Sequence, residues 1–189
     1  MKPGQTLTEK SKQTPKSTPK LIIITGVPCS GKSSVSREIL KNFKAMYIDK
    51  DMINDGFTLE RESQFYQKIR EGTYKAIDNI AGENLLYGNN VLIDGTFSTE
   101  IQNKKWFDRY AKLAKDTRSD LRLIRCIAPQ ELIKRRLKQR GFDKDKPKLK
   151  AFDEFLDREP IIVKWIGQLE IDTSKDFKKN IKDILKFIN

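Results

Sequence analysis

Gly26, Gly31, Lys32 and Ser33 stand at the spacing Gly-x-x-x-x-Gly-Lys-Ser, inside the run Leu21 to Ser34, LIIITGVPCSGKSS. Chemistry on phosphates needs these residue types in this order. The glycines permit backbone angles that turn successive amide N–H groups toward an anion. Lys32 can reach terminal phosphates, and the Ser33 hydroxyl can ligate Mg²⁺. A helix starting near Lys32 points its positive dipole end at the same place. Pro28, Cys29, Ser30 and Ser34 complete the candidate nucleotide-binding set, and Cys29 is expected to be sensitive to thiol reagents there. The context supports the motif, because an apolar strand precedes it and a helical segment, Ser33 to Asn42, follows. A plain glycine-rich turn would leave Lys32-Ser33 without a reason.

Other side chains able to do chemistry follow apolar strands. Asp49-Lys50-Asp51 comes just after Ala45 to Ile48. Asp51 is the candidate general base for an acceptor hydroxyl. Its structural alternative is the N-cap of a short helix. Asp49 is a second candidate base or a substrate ligand. Asp94 closes the strand Val91 to Ile93; it can hold Mg²⁺ through water, bind substrate, or simply turn the chain before Gly95. Thr96 and Phe97 are candidates to line an acceptor pocket, with Phe97 equally at home in a core. Arg136 and Arg140 fall one turn apart on the inward side of a helix. A guanidinium can fork onto two oxygens, so Arg140 is the candidate that stabilises charge on a transferring phosphoryl group. Arg135 reads as a surface charge. The chain has no histidine, so acid–base work falls most simply to carboxylates.

The elements that would position these residues alternate. Strands are expected at Leu21–Thr25, Ala45–Ile48, Val91–Ile93, Leu121–Ile127 and Leu169–Ile171. Helical spacing runs through much of Gly56–Gly88, with Phe65, Ile69, Ile77, Ile80 and Leu85 at helix-like spacings. It recurs over Glu100–Lys115, with Trp106, Phe107, Tyr110 and Leu113 inward. Further helices are expected from Pro129 to Arg140, stopped by Gly141, over part of Phe152–Gly167 with a break near Pro160, and from Lys175 to Ile188. Such alternation indicates an α/β fold with a mostly parallel sheet. Phe142–Lys150 reads as polar and mobile, a lid over about 141–150.

The 189 residues suit one domain, 21–189, behind a disordered basic tail, 1–20. The net charge of +12 is local. The tail carries five lysines against one glutamate, and residues 121–150 carry eleven basic against three acidic side chains. A polyanionic ligand beside the second segment would explain it, as would a solvated lysine face. Two cysteines, no apolar run near ~20 residues and a polar N-terminus point to a cytoplasmic protein with no membrane association. Oligomeric state is not legible.

Asn103-Lys104-Lys105-Trp106 lacks the Asp of a guanine-binding motif, and Asp94 is followed by Gly95 rather than a water-activating Glu. Transfer to a hydroxyl is therefore favoured over hydrolysis. GVPCSGKSS, YIDKD, VLIDGTF, RLKQRG and the late IDTS then occur in the order of a known group. From Leu21 to Asn189 the chain resembles the P-loop kinases related to polynucleotide kinase, gluconate kinase, chloramphenicol phosphotransferase and zeta toxin. The resemblance implies a three-layer fold with a five-stranded parallel sheet ordered 2-3-1-4-5, a helical lid, and ATP with Mg²⁺. It implies that Asp51 accepts the acceptor proton, and that Arg136 stacks on adenine. The polynucleotide kinase branch has an arginine three residues after the base, where this chain has Asn54. A small-molecule acceptor is thus expected ahead of a 5′-hydroxyl polynucleotide. A regulatory module that binds nucleotide without efficient turnover is the remaining alternative; it would need neither Asp51 nor Arg140.

Overall fold

Four consecutive apolar residues favour a strand buried on both faces. β1, Lys20–Thr25, is such a strand, with Leu21 to Ile24 wholly buried. The computed structural model of the chain describes residues 17–57, 65–97, 100, 103–159 and 169–189. Around β1 lie β2, Met46–Asp49, β3, Val91–Asp94, β4, Asp120–Ile127, and β5, Leu169–Asp172. They form one sheet in the order β2-β3-β1-β4-β5, every neighbouring pair parallel, as the resemblance implied. The register sets Ile24 beside Asp94 and Asp49 beside Asp94, so the carboxylates reach one end of the sheet together.

Alternation along the strands divides the core into two layers. Leu21, Ile23, Val91, Ile93 and Leu123 pack against α3, Tyr66–Leu86, and α4, Lys104–Asp116. Ile22, Ile24, Leu92, Ile124, Cys126 and Ile171 pack on the other face against α1, Lys32–Asn42, and α8, Phe177–Ile188. Between β2 and α3 sits the short α2, Lys50–Asp55. Beyond β4 comes α5, Gln130–Arg140, then a 3₁₀ turn, Asp143–Asp145, α6, Lys146–Lys150, and α7, Phe152–Arg158. Ile133, Leu137, Phe152 and Phe155 close a third cluster over Val27, the residue that follows Gly26. Among the described residues, no helix is long and apolar enough to cross a membrane.

Two inward assignments are corrected. Ile80 and Phe107 are 39% and 38% exposed. The buried seam of α3 runs through Ile77, Ala81 and Leu85, and that of α4 through Trp106, Tyr110 and Ala114. Each follows i, i+4, i+8, and a residue one position off such a seam turns about 100° away from it. Phe97 is fully buried in a run of rings with Tyr74, Trp106 and Tyr110, and therefore belongs to the core. Most of the basic tail, the stretch 58–64 and the expected break near Pro160 lie outside the described residues.

Candidate active site

The loop between β1 and α1 can bend as it does because of its residue types. Gly26 has φ +146°, and a Cβ there would lie 2.3 Å from the Cys126 carbonyl oxygen and 2.5 Å from Ser30 Oγ. Gly31 has φ +96°, and a Cβ there would lie 2.9 Å from Thr173 Oγ1. Cys29, between them, also sits in the left-handed region at φ +63°. That conformation is costly for a residue with a side chain, so its neighbours must hold it. Arg136 Nη1 donates to the Cys29 carbonyl at 3.2 Å and to Thr173 Oγ1 at 2.9 Å, and Nη2 donates to the Thr173 carbonyl at 3.1 Å. Thr173 Oγ1 in turn donates to the Ser30 carbonyl at 2.7 Å. The loop is thus strapped to the chain just after β5. These bonds use the edge of the Arg136 guanidinium and leave its faces out of the contact.

Lys32 is only 8% exposed, and its Nζ donates to the carbonyls of Gly26 at 2.8 Å and Val27 at 3.0 Å. The ammonium therefore lies across its own loop. Ser30 Oγ is buried and has no hydrogen-bond partner. A buried hydroxyl without a partner is costly in a finished interior and reasonable in a loop that receives an anion. The left-handed turns, the lysine held inside the loop and this orphaned hydroxyl fit a nucleotide phosphate chain. The Cys29 thiol is pushed up by burial, against the pull of Arg140 and Lys32. A raised thiol pKa lowers the share of reactive thiolate.

Asp94 is 3% exposed at the end of β3. Ser36 Oγ, on the inward face of α1, donates to its Oδ2 at 2.9 Å. Tyr47 Oη lies 3.3 Å from the same oxygen and 3.2 Å from Asp49 Oδ2, so its single proton is shared between two carboxylates. Burial pushes the Asp94 carboxyl above its ordinary range, Lys32 and Ser36 pull it back, and Asp49 adds to the rise. Ser33 lies three residues before Ser36 on α1, hence on an adjacent part of the helix surface. Ser33 and Asp94 together suit a hard cation held partly through water. Replacing Ser36 with Ala should remove a charge-assisted bond from a buried carboxylate. The expected cost is about 1–3 kcal/mol of stability, read from denaturant unfolding, with m unchanged.

Asp49, not Asp51, caps α2: its Oδ1 accepts from the amides of Asp51 at 2.9 Å and Met52 at 3.0 Å. With its other oxygen beside Tyr47, Asp49 is poorly placed to serve as a spare base. The Asp51 side chain remains 52% exposed, with Lys50 Nζ 3.4 Å away. Lys50 is itself buried, lying over the Phe97 and Tyr74 rings and donating to the Thr96 carbonyl at 3.2 Å. Thr96 is half-buried and meets the site through that carbonyl.

Arg140 is the last residue of α5. Asp145 holds it in a two-pronged pair. The segment expected to be a polar, mobile lid forms a 3₁₀ turn and a short helix. Leu149 packs against the third cluster, and Asp145 is fully buried. Lys144 reaches Asp55 on α2 at 2.7 Å, so this segment touches the far side of the site. Burial would raise the Asp145 carboxyl, but its hydrogen bonds with Arg140 and Lys148 hold it below the ordinary range. A lowered folded pKa contributes stability in full above the ordinary carboxylate range and loses it as pH falls through the folded value. The stability gap between wild type and Asp145→Asn should therefore narrow under acid; thermal unfolding between neutral pH and the carboxylate range checks this.

Lys32 thus lies inside the loop, Asp94 ends the strand beside β1, Asp51 stands in α2, and Arg140 ends α5 in its pair with Asp145. Ser36, Tyr47, Thr173 and Asp145 join them, and the sequence reading had assigned no role to these four. Two of the quoted motifs touch them, YIDKD at Tyr47 and IDTS at Thr173.

Comparison with known proteins gives the same outline. No protein of curated function matches the sequence significantly. Among solved structures, a candidate kinase of Chloroflexus aurantiacus is 18% identical, with a TM-score of 0.70 over 92% of this chain and 100% of that one. The Mycobacterium tuberculosis APS kinase CysC in complex with AMPPNP and APS is 17% identical, with a TM-score of 0.59 over 90% of this chain and 97% of that one. A chain of the Pnkp1/Rnl/Hen1 RNA repair complex is 19% identical, with a TM-score of 0.55 over 87% of this chain but 56% of that one. These likenesses concern the fold, which is the α/β fold of P-loop NTPases. Residues 21–160 match the AAA domain family AAA_33, so the chain belongs to that family.

Proposed function

We propose that this protein is an ATP- and Mg²⁺-dependent kinase that transfers the γ-phosphoryl group to a hydroxyl of a small molecule. The observation that carries the reading is the 2.7 Å pair of Lys144 with Asp55, which brings the segment that holds Arg140 against α2, the helix that carries Asp51. A binder without turnover needs neither an exposed carboxylate free of the capping task in α2 nor an arginine held in place at the end of α5. The reading places the loop amides, Ser30 and Lys32 on the nucleotide phosphates, with Arg136 beside the base. Ser33 and Asp94 would hold Mg²⁺, which when bound neutralises charge on the phosphates. Asp51 takes the proton from the acceptor hydroxyl as its oxygen bonds to the γ-phosphorus and the bond to the ADP oxygen breaks. Arg140 spreads the charge on the transferring group. Residues 141–150 serve as the lid, touching α2 through Lys144 and Asp55.

A small acceptor is supported by the fate of the basic segment 121–150. Arg122 pairs with Asp120, Arg125 with Glu170, Lys144 with Asp55, Lys146 with Asp143, and Arg140 and Lys148 with Asp145. Six of the eleven basic side chains there thus have carboxylate partners within the protein, which reduces the charge left to track a polyanion. A polynucleotide reader neutralising several phosphates loses about 10³ or more in affinity between 50 and 200 mM salt. The test is ATP consumption over nucleosides, sugars, aminoglycoside and chloramphenicol-type antibiotics, and 5′-hydroxyl oligonucleotides. Turnover with a small alcohol supports the reading. Efficient phosphorylation of oligonucleotide ends would replace it with an end kinase, and ATP binding without turnover on any acceptor with a regulatory module.

A further inference from the structure

We propose that Asp145 is a positioning residue: it fixes the plane and direction of the Arg140 guanidinium so that its remaining donors meet the transferring phosphoryl group. This rests on the kinase reading of Arg140. The stretch around Asp145 is rich in charge, yet the Asp145 side chain is 1% exposed while Asp143, two residues earlier, is 92% exposed. A carboxylate is not removed from water without strong partners. Arg140 Nε donates to Oδ2 and Nη2 to Oδ1, both at 2.7 Å, the side-on fork that makes the two groups coplanar. The fork uses two of the five guanidinium N–H groups, leaving both on Nη1 and one on Nη2 for an anion.

Three further features hold the same arrangement. Gly141 follows Arg140 in the left-handed conformation, φ +65°, and reverses the chain so that a residue five positions on can reach back. The Asp145 amide donates to the Phe142 carbonyl at 2.9 Å, closing that turn. The Phe142 ring lies 5.1 Å from the guanidinium carbon of Arg140. Charge is balanced in a telling way. Lys148 Nζ, its side chain 12% exposed, donates to Asp145 Oδ1 at 2.9 Å. One carboxylate therefore serves two cations, and the trio keeps a net positive charge for the phosphates. A carboxylate that merely neutralised Arg140 would not need the lysine. A long, flexible side chain ordered before the nucleotide arrives loses less freedom on binding.

A rival role has the opposite sign. If Asp145 competed with the γ-phosphate for Arg140, it would act as a latch, and removing its charge would tighten binding. The experiment measures the affinities of the full chain for Mg·AMPPNP and Mg·ADP by calorimetry. It compares wild type, Asp145→Asn, Arg140→Ala and the double variant. Arg140→Ala should reduce the preference for AMPPNP over ADP by roughly 10–10²-fold. Asp145→Asn should reduce it by about tenfold, because misplacement by about 1 Å costs up to 10²-fold. The double variant should match Arg140→Ala alone, since two groups acting as one do not add. Retained ADP binding reports an intact fold. If Asp145→Asn unfolds, Phe142→Leu, at a half-exposed position, should lower the preference in the same direction by a smaller factor.

A preference unchanged or raised in Asp145→Asn, or losses that add in the double variant, overturn the positioning role while leaving the kinase reading standing. With an unfolded Asp145→Asn, an unchanged preference in Phe142→Leu does the same. An Arg140→Ala variant with wild-type preference removes the Arg140 reading and the inference together.

Discussion

Lys32→Ala is expected to lower phosphoryl transfer by about 10³-fold or more while ADP still binds. Preorganised charge at a developing phosphate is commonly the largest single contribution to such catalysis. Lys32 is the ammonium built into the loop, 8% exposed and donating to Gly26 and Val27. Those two bonds also stiffen the loop, so the variant should lose about 1–2 kcal/mol of stability as well, a modest drop beside the loss of rate. The two effects separate when thermal unfolding and turnover are measured on one preparation. Wild-type turnover under saturating Mg·ATP would mean that Lys32 only shapes the loop.

Asp51→Asn is expected to keep ATP affinity and to lower turnover on the true acceptor by roughly 10²–10⁴-fold. Asn has the same shape but cannot accept the hydroxyl proton. The structure strengthens the choice of Asp51 over Asp49. Asp49 spends one oxygen on the amides that begin α2 and has the other beside Tyr47. Asp51 is free of the capping task, with Lys50 Nζ near its carboxylate. Steady-state kinetics should show the loss in kcat, with KM for ATP little changed. A variant that retains full kcat would move the proton acceptor elsewhere.

The phosphate-binding loop and the parallel sheet could be read from sequence because each rests on local pattern, whereas the strand order rested on the family resemblance. Apolar runs mark the strands, glycine spacing marks the loop, and the order of motifs fixes which strand carries which. Asp49 and Asp51 show where local pattern stops. Asp49 precedes the short α2 and Asp51 lies in its first turn, and only the turn geometry decides which one caps it. The supports of the site were less legible still, because they join distant residues. Ser36 meets Asp94 across 58 positions and Thr173 meets Ser30 across 143. Ser36 reads as an ordinary polar residue on a helix until β3 is placed beside α1. Asp145 reads as one charge among many in a polar segment. Its burial follows from the left-handed turn at Gly141, which brings it back to Arg140.

Ile80 and Phe107 teach a related point. Both fit a helical stripe, but small shifts of phase on α3 and α4 turn them outward. Burial on each helix is set by where the sheet lies, which periodicity alone does not specify.

The central claim is that the γ-phosphoryl group moves to an acceptor hydroxyl rather than to water. The most direct measurement follows γ-labelled ATP with the best acceptor from the screen and separates labelled acceptor from free phosphate. The account predicts label on the acceptor in step with ADP formed, and its loss in Asp51→Asn. Label recovered only as free phosphate, or ADP formed at the same rate without acceptor, would contradict it.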